Sequence, residues 1–224
     1  MDIDTIIRTA TVYAIPVLFA ISLHEAAHGY VARYFGDSTA ADQGRLSVNP
    51  ARHIDLFGTI LLPLMLALMK FPPLGYAKPV PVAYERLRNP RKHMAFVAAA
   101  GPGANFAMGL GWMALWVIFI YLLHLDQDDF FVLMARAGIG VNSAMLVFNL
   151  IPLPPLDGGR IVTGLLPLPL ARRYAQIERF SMLVFIALVL MLYFDLLDGV
   201  LIQGMHFVQS IFHLLVLPLI WLLQ

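Results

Sequence analysis

Cysteine is missing from this chain and charge is scarce. Without cysteine there is no disulfide framework and no thiolate ligand, so any metal site must be built from imidazole and carboxylate. The absence identifies no compartment. Asp, Glu, Lys and Arg make up 13% of the residues, against roughly 25% in soluble domains. The formal net charge of +1 gives no sign of a nucleic-acid partner, and none is expected. Internal repeats and low-complexity segments are also lacking. What is abundant is apolar: 60% of the 224 residues are hydrophobic and the mean hydropathy is +0.77. That composition is of an integral membrane protein, in contact with lipid. Its length suits one compact membrane domain, 1–224, with no room for an appended soluble domain. Residues 9–23 could pass for a signal-peptide core. However, Asp2 and Asp4 stand where basic residues are expected and the apolar run continues, so no cleavage is expected.

The apolar pattern predicts an all-α polytopic protein with about five spanning helices. They run from about Thr5 to Tyr34, Met94 to Leu123, Phe130 to Ile151, Phe180 to Phe194 and Val200 to Leu223. Residues 158–179 read as a short polar-basic link. Phe57 to Met69 holds thirteen uncharged residues interrupted by Pro63, too short to span, and reads as re-entrant. Gly44 to Asn49 alternates polar and apolar residues, as a short strand does, and a second extended piece is expected near Ala77 to Ala83. Together they predict a small membrane-associated β element. With these spans, 13 of the 15 Lys and Arg fall on one face, while Asp2, Asp4, Asp126, Asp128, Asp129, Asp195 and Asp198 lie on the other. The positive-inside rule makes the basic face cytoplasmic and the N-terminus external.

Within the first span lies His24-Glu25-Ala26-Ala27-His28. Its i, i+4 spacing sets both imidazoles on one helix face toward a common metal, with a carboxylate beside them placed to take a proton from water. As a bare pattern it also fits two histidines on a solvated face. The eleven uncharged residues from Tyr13 to Leu23 argue against that, because ionisable groups deep in an apolar helix are costly and generally functional. The motif therefore reads as a zinc site, one ion per chain, within or just under the membrane surface. A catalytic zinc takes three protein ligands. Asp157, at the broken end of the third span and at the same depth, is the choice for the third. It could instead cap the following helix. Glu178 and His53 compete for the role, and His53 also fits a gating or purely structural part. Asn142 and Asn149, seven apart on one face, read as helix-to-helix glue, with Asn149 the more suggestive because it precedes the break.

HEAAH in the first span, AGPGAN in the second and NLIPLPPLDGG after the third, in that order, resemble the site-2 protease family of intramembrane zinc metalloproteases. The resemblance covers nearly the whole chain. It implies that His24, His28 and Asp157 bind zinc and that Glu25 is the general base. It further implies that Asn149, Pro152 and Pro154 help hold a substrate strand, and that Gly101, Pro102 and Asn105 match the family's G-P-x-x-N, with Asn105 and His53 counted among candidate substrate-binding residues. GRLSVNPARHID, GTILLP and AKPVPV look like the small single-domain bacterial subgroup, which implies a bacterial inner-membrane location. The chain departs from better-known members in having no PDZ or CBS module and no extra span before the motif. The implied activity is endopeptidase cleavage of peptide bonds in or near transmembrane segments of a membrane-protein substrate, with the active site toward the cytoplasm. A metal-ion transporter lined by the same three residues, or a catalytically silent membrane scaffold, are the alternatives.

Overall fold

In the computed structural model, residues 3–47, 49 and 80–224 are described. Helix α1 spans Ile3–Tyr34, followed by the single turn α2, Thr39–Asp42. A 3₁₀ turn at Tyr84–Arg86 leads into α3, Pro90–Val117, whose last turn continues as a π-helix over Ile118–Leu122. Then follow α4, Phe130–Asn149; α5, Asp157–Leu165; α6, Leu168–Ala175; α7, Ser181–Tyr193; and α8, Asp198–Leu223. Helix starts are chemically marked. Asn89 accepts the amide of Lys92 ahead of Pro90 at the first helical position, and Asp129 accepts the amide of Phe131 at 2.8 Å.

Among the described residues, five segments are long and apolar enough to cross a membrane: Ile7–Tyr34, Pro90–Leu122, Phe130–Asn149, Leu168–Tyr193 and Asp198–Leu223. The spans therefore match the sequence reading, with one correction: residues 158–179 are not a mere link. They form α5, α6 and a 3₁₀ turn, and α6 runs on toward α7 within one apolar stretch. Their arginines disguise the helical pattern. Among the described residues there is no strand; Gly44 to Ser47 and Val80 to Ala83 lack a ladder. Val48 and the Phe57 to Met69 segment, with its expected re-entrant course, lie outside the described residues, as does His53.

Helix α3 is the centre of the bundle, packed on α1, α4, α5 and α8. Phe212 of α8 is fully buried against α3 and α4 with Met113, Val117, Ile139 and Leu146. Large side chains such as Leu183, Leu214, Trp221 and Leu222 are exposed, as expected of a surface facing hydrocarbon. At the other end of α1, Asp37 ties the chain to the segment before α3, accepting the amides of Thr39 at 3.0 Å and Ala83 at 2.7 Å.

Candidate metal centre

One helical turn separates His24 from His28, so both rings leave α1 on the face that meets α3. Each is held by its Nδ1. His24 donates to Asn105 Oδ1 at 2.6 Å and His28 to the carbonyl of Val97 at 2.7 Å. Those acceptors fix the tautomers and leave both Nε2 lone pairs bare. The two Nε2 atoms face each other at 3.1 Å. Asp157 Oδ2 joins them at 3.2 Å from His24 and 3.4 Å from His28. That oxygen is buried and has no hydrogen-bond partner. All three ligand atoms lie within 4.8 Å of one another. Three acceptors converging on one buried point repel unless a cation sits among them, and two imidazoles with one carboxylate is a donor set zinc takes.

Room for this cluster comes from glycine. A Cβ on Gly101 would lie 2.5 Å from His28 Nε2 and 2.6 Å from His24 Nε2. The AGPGAN stretch thus lays bare backbone beneath the imidazoles. A similar device seats Asp157: Cβ atoms on Gly158 and Gly159 would meet the Ile151 carbonyl at 2.4 Å and Pro154 N at 2.2 Å. The start of α5 therefore nests directly under the proline-rich break. Asp157 occupies the first turn of α5, after Leu156 at the N-cap, which makes no side-chain cap bond.

Asn105 is fully buried behind His24. Its Nδ2 donates to the Ala20 carbonyl at 3.3 Å and to Asn142 Oδ1 at 3.0 Å, and Asn142 in turn donates to the Gly138 carbonyl of its own helix at 2.9 Å. One chain of amides thus links α1, α3 and α4 and ends on a candidate ligand. Asn142 bridges helices as expected; Asn105, expected among substrate-binding residues, contacts His24 Nδ1 and does not line the cavity beside the cluster.

A cavity of about 310 Å³ opens beside the cluster, lined by His24, Glu25, His28, Asn149, Asp157 and Arg160, with Val80, Val82 and Tyr84 across from them. Glu25 Oε2 accepts the amide of Val80 at 2.9 Å, which fixes the carboxylate at the cavity wall. Asn149 reaches the same cavity while donating to the Met145 carbonyl at 3.0 Å. Pro152 and Pro154 do not line it; Pro155 does, Pro154 is fully buried, and the Pro152 carbonyl accepts the Tyr174 hydroxyl. Glu178 is engaged elsewhere, at 3.0 Å from Arg160. Val80, Tyr84 and Arg160 were not singled out from sequence. For Arg160 a signal existed, since i+3 from Asp157 shares its helix face; Val80 and Tyr84 belong to a loop with no local motif.

The fold and this site define a membrane-embedded metallohydrolase, and relatives narrow the class. The model of Peptidase family M50 matches residues 123–192. Over 181 residues, 78% of this chain and 78% of the other, the chain is 36% identical to a Bacillus subtilis protein named "Putative zinc metalloprotease YwhC". Two proteins named "Putative zinc metalloprotease Rip2" are also similar. That of Mycolicibacterium smegmatis is 28% identical over 63% of this chain and 52% of its own length; that of Mycobacterium tuberculosis is 25% identical over 77% and 64%. No solved structure gives a significant match. The chain belongs to peptidase family M50, the site-2 protease family. It is an intramembrane zinc metalloprotease.

Proposed function

We propose that His24, His28 and Asp157 hold the zinc, that Glu25 is the general base, and that the substrate is a peptide bond in or beside a transmembrane segment of another membrane protein. The observation that carries the ligand assignment is the convergence of two bare Nε2 atoms and an unpartnered carboxylate oxygen on one buried point. Zinc held there supplies a Lewis acid that polarises a carbonyl and lowers the pKa of water. The chain's own groups do the rest. Glu25, steadied by the Val80 amide, takes a proton from the attacking water. It delivers that proton to the amine nitrogen as the C–N bond breaks. Asn149, at the cavity wall, offers its amide to substrate backbone released from helical hydrogen bonds, groups that cost roughly 1–3 kcal/mol each if left unpaired.

The whole chain, 1–224, acts as one domain. The basic loops face the cytoplasm of a bacterial inner membrane and the N-terminus lies outside. Reporters fused after Gln224 and inserted near Arg88 should both appear cytoplasmic, and one near Asp128 external; the same side for Arg88 and Asp128 overturns this orientation.

The decisive experiment separates metal from catalysis. Glu25→Gln should keep about one zinc per chain and lose cleavage by roughly 10²–10⁴-fold, the usual worth of a general base. Asp157→Ala should lose most of the zinc. A Glu25→Gln protein devoid of zinc, or an Asp157→Ala protein with full zinc and full activity, refutes the assignment.

A further inference from the structure

We propose that Tyr84 is a further catalytic residue, whose phenolic O–H, aimed by Arg160, donates a hydrogen bond to the carbonyl oxygen of the peptide bond being cut. This rests on the assignment of Glu25 and the three ligands above.

The two residues come from different parts of the chain and meet at the cavity wall. Arg160 lies on the same face of α5 as Asp157, one turn later. Its Nη1 donates to the Tyr84 hydroxyl oxygen at 2.9 Å, its Nη2 to Glu178 Oε1 at 3.0 Å, and its guanidinium carbon lies 5.4 Å from the centre of the Tyr84 ring. A guanidinium has donors and no acceptor, so in this contact Tyr84 oxygen can only accept. The phenol's own hydrogen must therefore point elsewhere, and among the described residues it meets no acceptor. The ring is half-buried and seated against Ala32, Leu87 and Val97, and the residue lines the cavity together with Arg160, which its hydroxyl meets. Burial raises the Tyr84 pKa above the ordinary tyrosine value against the pull of Arg160, so the proton stays on oxygen.

A fixed, protonated donor lining the same cavity as the base and the candidate ligands suits an oxygen that gains negative charge as water adds to the carbonyl carbon. Such a donor requires no rearrangement at the moment of reaction, and removing one of this kind elsewhere lowers kcat by roughly 10²–10³-fold. Here the cation shares the load, so a fall of about 10- to 100-fold is expected. Arg160 is a positioning residue: it acts through the phenol.

The test uses the full-length protein with a transmembrane peptide that the parent cleaves. Tyr84→Phe should keep its zinc and melting temperature and lower kcat by about 10- to 100-fold with KM within about twofold. Its affinity for a phosphinic analogue of that peptide should fall by a similar factor. In a Glu25→Gln background, binding of the uncut amide peptide should be unchanged by Tyr84→Phe. Arg160→Gln should lower kcat likewise, Arg160→Lys should recover part of it, and Tyr84→Phe with Arg160→Gln should be no worse than Tyr84→Phe alone. Parent-like kcat and analogue affinity in Tyr84→Phe overturn the proposal, as does a loss confined to KM. Should Tyr84→Phe lose its fold, the arginine pair decides: equal kcat in Arg160→Gln and Arg160→Lys overturns it. Persistent cleavage by Glu25→Gln points instead to failure of the underlying assignment of the base, whatever Tyr84→Phe does.

Discussion

Two of the spans are almost equally apolar and live in different surroundings. An 18-residue window of Phe130–Asn149 has a mean hydropathy of 1.7 and is 44% buried in protein; one of Leu168–Tyr193 has 1.8 and only 6% is buried. Hydropathy does not separate them, because lipid chains are as apolar as leucine and give helices no hydrophobic reason to associate. What separates them is small and polar side chains. Helix α4 carries Gly138, Asn142, Ser143 and Asn149, and its amides reach α3 and the cavity. Helix α7 is SMLVFIALVLMLY, nearly all large aliphatics, and among the described elements packs chiefly on the turn before it. In a membrane, the half that packs on itself is recognisable by its small and polar side chains and not by its hydropathy.

The contrast would break most sharply at Gly101. Gly101→Ala places a methyl group 2.5 Å from His28 Nε2, a clash with rings whose other nitrogens are already tied down. Zinc content should fall below half, with cleavage falling at least as far. Gly111→Ala, on the same helix with nothing within 4 Å of the new carbon, should keep zinc and cleavage and gain about 0.5–1 kcal/mol of helix stability. Leu183→Ala on α7, exposed at 63%, should stay within about 0.5 kcal/mol of the parent and hold its zinc. Metal analysis beside thermal unfolding reads all three. If Leu183→Ala costs as much zinc as Gly101→Ala, the two halves are not functionally distinct.

Next comes Asn105. Asn105→Ala leaves His24 Nδ1 and Asn142 without their partner. Loss of such an orienting contact typically weakens metal binding by about 10- to 100-fold, and a buried unsatisfied group costs roughly 1–3 kcal/mol. Titration with a competing chelator should show the weaker affinity. Substrate KM for the metal-loaded variant should hold, since Asn105 lies behind His24 and not on the cavity; a KM effect at full zinc would restore the substrate-binding role expected from sequence.

How much of this was legible follows from the same physics. Helix existence and the meeting of His24, His28 and Asp157 at one point were readable because ionisable groups in apolar runs stand out and i, i+4 spacing has a direct spatial meaning. Pairing across the bundle was not. That Asn105 faces His24 depends on which face of α3 meets α1, and no local pattern states that. The helical nature of 158–179 was hidden by charge, since Arg160, Arg172, Arg173 and Glu178 make an amphipathic segment look like a loop. Val80 and Tyr84 come from a proline-rich stretch whose backbone has no period to read.

Asp37 carries the smallest of these effects, and its sign can be worked out. In the structure it is 1% exposed and receives the Thr39 amide and hydroxyl and the Ala83 amide, with Arg86 nearby. Burial works to raise its pKa, and these donors outweigh burial, so the carboxyl is held below its ordinary 3.8. A group whose folded pKa is lowered contributes stability that is present above the unfolded value and disappears as pH falls through the folded one. The clasp between α1 and the segment bearing Val80 and Tyr84 is therefore intact at neutral pH and lost in acid. Asp37→Asn should destabilise by about 1–3 kcal/mol at pH 7, the usual cost of a disrupted buried hydrogen-bonded charge. The gap between parent and variant should stay constant down to roughly pH 4 and shrink below it. Because Val80 steadies Glu25, cleavage by Asp37→Asn should fall modestly at neutral pH while zinc, whose candidate ligands lie on α1 and α5, stays bound. Unfolding of both proteins from pH 7 to pH 3, with zinc measured at pH 7, provides the check. A gap that widens in acid, or zinc lost with the clasp, would show that Asp37 supports the metal cluster itself and not the loop that closes over it.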